Sequence, residues 1–175
     1  RIKKHIAHDW LKTHPDFFEP YLNNQELDYK KVFGNEENLP GLVESIANAF
    51  IRQAKDYGLT PKALRKQIED LPIPLPLVEM GIDMYIDYQQ ALAYRGSIDF
   101  DDLIRLALQS LNSDPSLVDL LRKRWPIVLE DEAQDSSRLQ QKILSMLAGD
   151  GGNWVRVGDP NQAIYESFTT ASPQF

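Results

Sequence analysis

Trp125-Pro126-Ile127-Val128-Leu129-Glu130-Asp131-Glu132-Ala133-Gln134-Asp135 is the stretch on which the fold turns. Pro126 cannot continue a helix. The apolar run 127–129 then has the texture of a strand buried on both faces. Downstream, Leu139, Ile143 and Leu147 predict a helix, and Gly149-Asp150-Gly151-Gly152 predicts a turn. Trp154-Val155-Arg156-Val157 reads as a second strand ending at Gly158-Asp159. Strand, helix and strand in that order predict a parallel pair joined by a right-handed crossover. In such sheets functional groups gather at the carboxyl ends of the strands.

Both strand ends are acidic. The first delivers Asp131-Glu132, the second Gly158-Asp159-Pro160-Asn161-Gln162. An Asp there can hold Mg2+, largely through water, and an adjacent Glu can accept a proton from an attacking water. A Gln on the neighbouring strand end can hydrogen-bond a terminal phosphate. A plainer reading stands beside this one. Asp131-Glu132 can serve only to place negative charge before a helix N-terminus. Asp135 can be only an N-cap, with Ser136 and Ser137 as competitors, and Asp159-Pro160 an ordinary turn.

Upstream the chain is helical. Ile2, Ile6 and Trp10 predict a short helix ended by His14-Pro15, and residues 19–41 a long connection. Leu42, Ile46, Ala49, Phe50 and Tyr57 predict a helix closed by Gly58. Thr60-Pro61 opens the next, and residues 71–76, with Pro at alternate positions, predict an extended link. Leu77, Met80, Met84, Tyr88 and Leu92 mark a further helix. Asp99 caps one carrying Leu103, Ala107 and Leu111, and Asp114-Pro115 starts another. The basic residues Arg52, Lys55, Lys62, Arg65 and Lys66 read first as a solvated charged face, and as phosphate contacts second.

Composition narrows the class. Of 175 residues, 42% are hydrophobic and 26% charged, the balance of a globular protein with a core. No apolar run approaches the ~18 residues of a membrane span, and no long apolar stretch follows the basic start, so no signal peptide is expected. Cysteine is absent, which excludes disulfides, thiolate metal sites and thiol nucleophiles. The absence of an initial Met suggests a piece of something longer. A net charge of −7 argues against a nucleic-acid surface covering the whole molecule. Residues 1–98 carry 12 Lys and Arg against 14 Asp and Glu, and residues 99–175 carry 7 against 12, so the acid excess sits in the second part.

Three segments together resemble one family. The stretch 128–135 is similar to helicase motif II, the Walker B element, of UvrD/Rep-like superfamily 1 DNA helicases. Val157-Gly158-Asp159-Pro160-Asn161-Gln162-Ala163-Ile164-Tyr165 resembles their motif III, and Asp99-Phe100-Asp101-Asp102-Leu103 the segment that precedes motif II. The resemblance is close over about residues 90–168. It implies a mainly α chain with a partial α/β element: a helical subdomain joined to part of a RecA-like parallel sheet of the P-loop NTPase class. Residues 1–98 would be the helical insertion of the first motor domain, with 1–41 as lead-in, and 99–175 the partial motor domain.

The resemblance also implies roles. Asp131 would hold Mg2+, Glu132 would activate water, and Gln162 would sense the γ-phosphate of ATP. Gln134 and Asp135 would link the nucleotide to neighbouring motor elements. Tyr165 would face single-stranded DNA or, alternatively, pack as a core aromatic. Phe168 stands one residue late for the family's base-stacking aromatic, and the Arg-Gly that usually follows is missing. The implied partners are ATP, single-stranded DNA and a duplex junction, in a cytoplasmic, nucleoid-associated enzyme translocating 3′ to 5′. No Gly-x-x-x-x-Gly-Lys-Ser/Thr occurs, so the chain alone is expected neither to hydrolyse ATP nor to unwind DNA. The alternatives are the helicase part of a RecB-like helicase–nuclease and a non-catalytic, helicase-derived interaction module.

Overall fold

A computed structural model describes residues 2–18, 39–151 and 153–159. The architecture is mainly helical, with one two-stranded parallel sheet. The chain divides into two units, residues 1–51 with 60–97, and residues 52–59 with 98–175.

The regular elements of the first unit are all helices among its described residues. Helix α1 (Ile2–Thr13) stops where Pro15 disfavours helical geometry at His14. It buries Ala7 and Trp10. The Trp10 ring stacks on His14 at 4.2 Å and meets the edge of Phe17 at 4.7 Å. Helix α2 (Leu39–Asp56) starts three residues before the predicted Leu42, because Pro40 is tolerated in a first turn that needs no amide partner. Its buried stripe is Val43, Ala47, Ile51 and Ala54, one position off the expected one, and Ala49 is exposed. The remaining residues of the predicted 19–41 connection lie outside the described ones. Helix α3 (Pro61–Glu69) opens as expected, with Thr60 accepting from the Ala63 amide at 3.2 Å. Helix α4 (Pro76–Tyr94) follows the extended link and buries Met80, Met84, Tyr88 and Leu92. Gly81 is needed there, since a Cβ would sit 2.7 Å from the Phe50 ring. Trp10, Phe18, Val43, Ala47, Met80 and Met84 form the core of this unit.

The second unit positions the candidate site. Helix α5 (Phe100–Ser113) is capped by Asp99, which accepts from the Asp102 amide at 2.8 Å. Leu103 and Ala107 are exposed, contrary to the predicted stripe; Asp102 and Leu111 are the buried positions. Asp114 caps helix α6 (Pro115–Arg124), and its hydrogen bonds from Ser116 and Leu117 hold its carboxyl below the usual range. Strand β1 (Val128–Glu130), a 3-10 turn (Ala133–Asp135), helix α7 (Arg138–Ala148) and strand β2 (Trp154–Arg156) complete the βαβ unit. The strands pair in parallel, with Val128, Leu129 and Glu130 opposite Trp154, Val155 and Arg156. Helix α7 packs on the sheet. Its last turn is closed by Arg122, whose guanidinium donates to the Met146 carbonyl at 2.9 and 2.7 Å.

Two expectations fail here. The strand at 127–129 is not buried on both faces: Ile127, Leu129, Val155 and Val157 are exposed, Leu129 to 76%. By alternation and register these four share one face, which no element covers among the described residues. Lys55 is not part of a solvated basic face either. It is completely buried, 2.6 Å from Asp99 and 2.9 Å from Asp102. Its neighbour Asp56 accepts from the Leu139 amide at 3.4 Å, in the first turn of α7. Residues 52–59 therefore belong with the second unit because they meet the N-terminal turns of α5 and α7.

Candidate active site

The site is built where β1 and β2 end. The two chain segments leave the sheet still latched together. The Val157 amide donates to the Glu130 carbonyl at 2.8 Å, and the Ala133 amide donates to the Val157 carbonyl at 2.9 Å. Between these bonds the chain must turn within two residues. Asp131 begins the turn, its Oδ1 accepting from the Glu132 amide at 3.0 Å. Glu132 completes it at φ 51, ψ 42 and is the one non-glycine residue with positive φ among those described. The left-handed region costs an L-residue roughly 1–2 kcal/mol, and such strain concentrates at functional sites. Both carboxylates are exposed.

Gln134 lies beneath them, 3% exposed. Its Nε2 donates to Glu132 Oε2 at 2.6 Å, and its Oε1 accepts from the Asp159 amide at 3.1 Å. Both partners fix the amide orientation: the flipped group would set oxygen against carboxylate and NH2 against N–H. Gly158 is required beside it. A Cβ there would fall on Gln134 Oε1 and stand 3.0 Å from the Ala133 nitrogen.

Glu130 was not anticipated from the sequence. Its side chain is 4% exposed; Oε2 accepts from Arg156 Nε at 2.7 Å and Oε1 from the Ser136 hydroxyl at 2.5 Å. The pair sits at matched register on the two strands. A Glu in one short strand and an Arg in the other was the available signal, and it becomes legible only once the pairing is known. Asp102 and Asp99 were likewise read only as motif and cap, whereas both hold Lys55.

Asp135 is not the N-cap of the following helix. That role falls to the competitor Ser137, which forms a capping box with Gln140. Asp135 instead lines a small cleft of about 160 Å3 with Arg52, Asp56, Asp101 and Ser137, and its buried Oδ1 has no hydrogen-bond partner among the described residues. The structure thus brings Asp131, Glu132, Gln134 and Asp159 together and sets Asp135 apart from them. Gln162, Tyr165 and Phe168 lie outside the described residues.

The exposed pair suits a hard divalent cation. Among the described residues, Asp131 and Glu132 are acceptors with only neutral donors as hydrogen-bond partners, an amide N–H and a side-chain amide. Mg2+ takes oxygen ligands of this kind, one or two carboxylates at a time.

Comparison with known proteins identifies the family. Residues 2–175 match the family described as UvrD/REP helicase N-terminal domain. The ATP-dependent DNA helicase UvrD2 of Mycobacterium tuberculosis is 40% identical over 96 residues, 53% of this chain and 13% of that protein. DNA helicase II of Escherichia coli is 31% identical over 116 residues, 66% of this chain and 15% of that protein. An ATP-dependent helicase/nuclease protein of Streptococcus thermophilus is 33% identical over 134 residues, 73% of this chain and 11% of that protein. The matched segments therefore span only 11–15% of these relatives. No helix among the described residues is long and apolar enough to cross a membrane. The family match across nearly the whole sequence coincides with two latched strand ends carrying Asp131-Glu132 and Gly158-Asp159, and the chain belongs to the UvrD/REP helicase N-terminal domain family.

Proposed function

We propose that this chain supplies the hydrolytic strand ends of an ATP-dependent DNA helicase that translocates 3′ to 5′. The observation that carries this is the Glu132 carboxylate, exposed at the end of β1 and held in place by a buried amide. Glu132 accepts the proton of the attacking water. A carboxylate already fixed by a donor at 2.6 Å needs little reorganisation to do so. Asp131 would hold Mg2+, which would supply positive charge to neutralise the phosphate oxygens of ATP. Gln162 senses the γ-phosphate from the neighbouring strand end. Asp135, from its own cleft, links the nucleotide side to residues 52–56 and α5.

Residues 1–98 act as the helical insertion, with 1–41 as lead-in, and 99–175 as the partial motor domain. Tyr165, the last residue of motif III, and Phe168 after it contribute base stacking to single-stranded DNA near a duplex junction; such stacking is worth ~1–3 kcal/mol per base. The 175-residue chain alone lacks a phosphate-cradling Gly-x-x-x-x-Gly-Lys-Ser/Thr, so ATP hydrolysis belongs to a longer protein that carries it.

The test is Glu132→Gln in that longer protein. DNA-stimulated, Mg2+-dependent ATP turnover should fall at least 100-fold while nucleotide binding persists. Turnover within threefold of wild type removes Glu132 from the reaction. A helicase–nuclease is the second reading, favoured by the match to the streptococcal helicase/nuclease protein over 73% of the chain. It requires Mg2+-dependent DNA cleavage that survives Glu132→Gln.

A further inference from the structure

We propose that Gln134 is the positioning residue of this site: one amide ties the Glu132 carboxylate to the turn after β2, so that the two move as a unit. The inference deepens the reading of Glu132 as proton acceptor and rests on it. Three observations carry it. Gln134 is 3% exposed, and both ends of its amide are used, Nε2 on Glu132 Oε2 at 2.6 Å and Oε1 on the Asp159 amide at 3.1 Å. Glu132 stands in the left-handed region, a conformation that costs an L-residue, and its exposed side chain is held by the buried amide. Finally, the close approach exists because residue 158 has no Cβ; any other residue would push the turn off the amide.

The consequence is directional. Asp159 opens the segment that leads to Gln162, so a displacement of that turn pulls on Gln134 Oε1 and reorients the carboxylate through Nε2. Leaving the turn in place keeps the carboxylate aimed. Neither Met nor Glu can replace Gln134 in this role. Met has the length but no donor and only a weak thioether acceptor, and Glu would set two carboxylates against each other.

Two measurements test the tie and its consequence. On the 175-residue chain, exchange of the Asp159 amide proton is followed by NMR in wild type, Gln134→Met and Ser137→Ala. Gln134→Met should accelerate it at least tenfold, while Ser137→Ala, which weakens a helix cap elsewhere, should not. Unchanged exchange in Gln134→Met overturns the proposal whatever the activity shows. In the longer protein, Gln134→Met should lower kcat for ATP 10- to 100-fold with KM within twofold, the signature of a lost aim rather than lost binding. Accelerated exchange with an unchanged kcat, in a protein that Glu132→Gln inactivates, reduces the tie to a structural one and refutes the positioning role. If wild type has no ATPase, the reading of Glu132 fails together with that role, and the exchange result alone decides the tie.

Discussion

The buried Lys55 offers the sharpest test of how the second unit is held. Its side chain is fully enclosed, with Nζ 2.6 Å from Asp99 Oδ2 and 2.9 Å from Asp102 Oδ2; the Asp102 side chain is 4% exposed. Lys55→Met keeps most of the aliphatic volume and removes the charge, so the cavity contribution is small and the electrostatic one dominates. Breaking a buried pair by deleting one partner costs about 3–5 kcal/mol, because the other charge is left uncompensated. Arg105 Nε, 3.5 Å from Asp102 Oδ1, offsets part of that. The expected loss is therefore near the lower end, about 3 kcal/mol. At roughly 2–4 °C per kcal/mol for a chain of this size, the midpoint drops by about 6–12 °C. Urea and thermal melts followed by circular dichroism read this directly. A second variant, Lys55→Met with Asp102→Leu, exchanges the ions for apolar contacts and should recover more than half of the loss, with Asp99 kept as the cap of α5. A loss below about 0.5 kcal/mol in the single variant would contradict the burial argument. So would a double variant no more stable than the single.

Three further outcomes follow from the same geometry. Ser137→Ala removes the capping box of α7 and should cost about 1 kcal/mol in a urea melt, with Gln140→Ala costing less because only the reciprocal bond is lost. Glu132→Gly should be about 1 kcal/mol more stable than Glu132→Ala, the reverse of the usual order, since both lose the carboxylate and only Gly accepts φ 51 without strain; Ala at least as stable as Gly would remove the strain. Desolvation, and secondarily the nearby Asp83, raise the Asp87 carboxyl above its ordinary 3.8, so folding disfavours its charged form. Asp87→Asn should then stabilise the chain slightly at neutral pH. The gain should shrink as pH falls through the raised value and vanish below 3.8, and a gain that grows in acid would reverse the assignment.

What could be read from the sequence was what is decided locally. Thr60-Pro61, Asp99 and Asp114-Pro115 each carry their helix start in two or three consecutive residues, and each proved to be a cap with its side chain on the expected amides. The parallel pairing of β1 and β2 followed from strand, helix and strand alone. The misreadings are all non-local. Lys55 meets partners 44 and 47 residues away, and nothing within a helical turn of it announces burial. Leu129 was assigned to a covered strand because an apolar run looks the same whether both faces are covered or one. The stripe of α2 slipped by one position because Leu42 and Val43 are equally apolar, and packing partners chose Val43. At the site, the order Asp-Glu-Ala-Gln pointed to chemistry, but Gln134 turning back onto Glu132 depends on a left-handed residue that sequence pattern does not reveal.

Two sets of carboxylates after residue 98 are treated differently. Asp99, Asp102 and Glu130 are held by cations of the same unit, the first two by Lys55 and the third by Arg156. Burial without such partners would be costly. Asp131 and Glu132 are treated oppositely. They stay exposed, adjacent, and among the described residues supported only by neutral donors, one of them across a strained backbone. Among the described residues a lysine and an arginine hold Asp99, Asp102 and Glu130 while this pair has no cation partner, which concentrates negative charge at the strand ends. Stability alone does not favour that arrangement, since like charges side by side repel and the left-handed turn adds its own cost. A cation between the two carboxylates would offset that repulsion, as the proposed role of Asp131 requires. The net charge of −7 therefore says little about affinity for nucleic acid. Part of it, Asp131 and Glu132, lies where Mg2+ and ATP are proposed to meet.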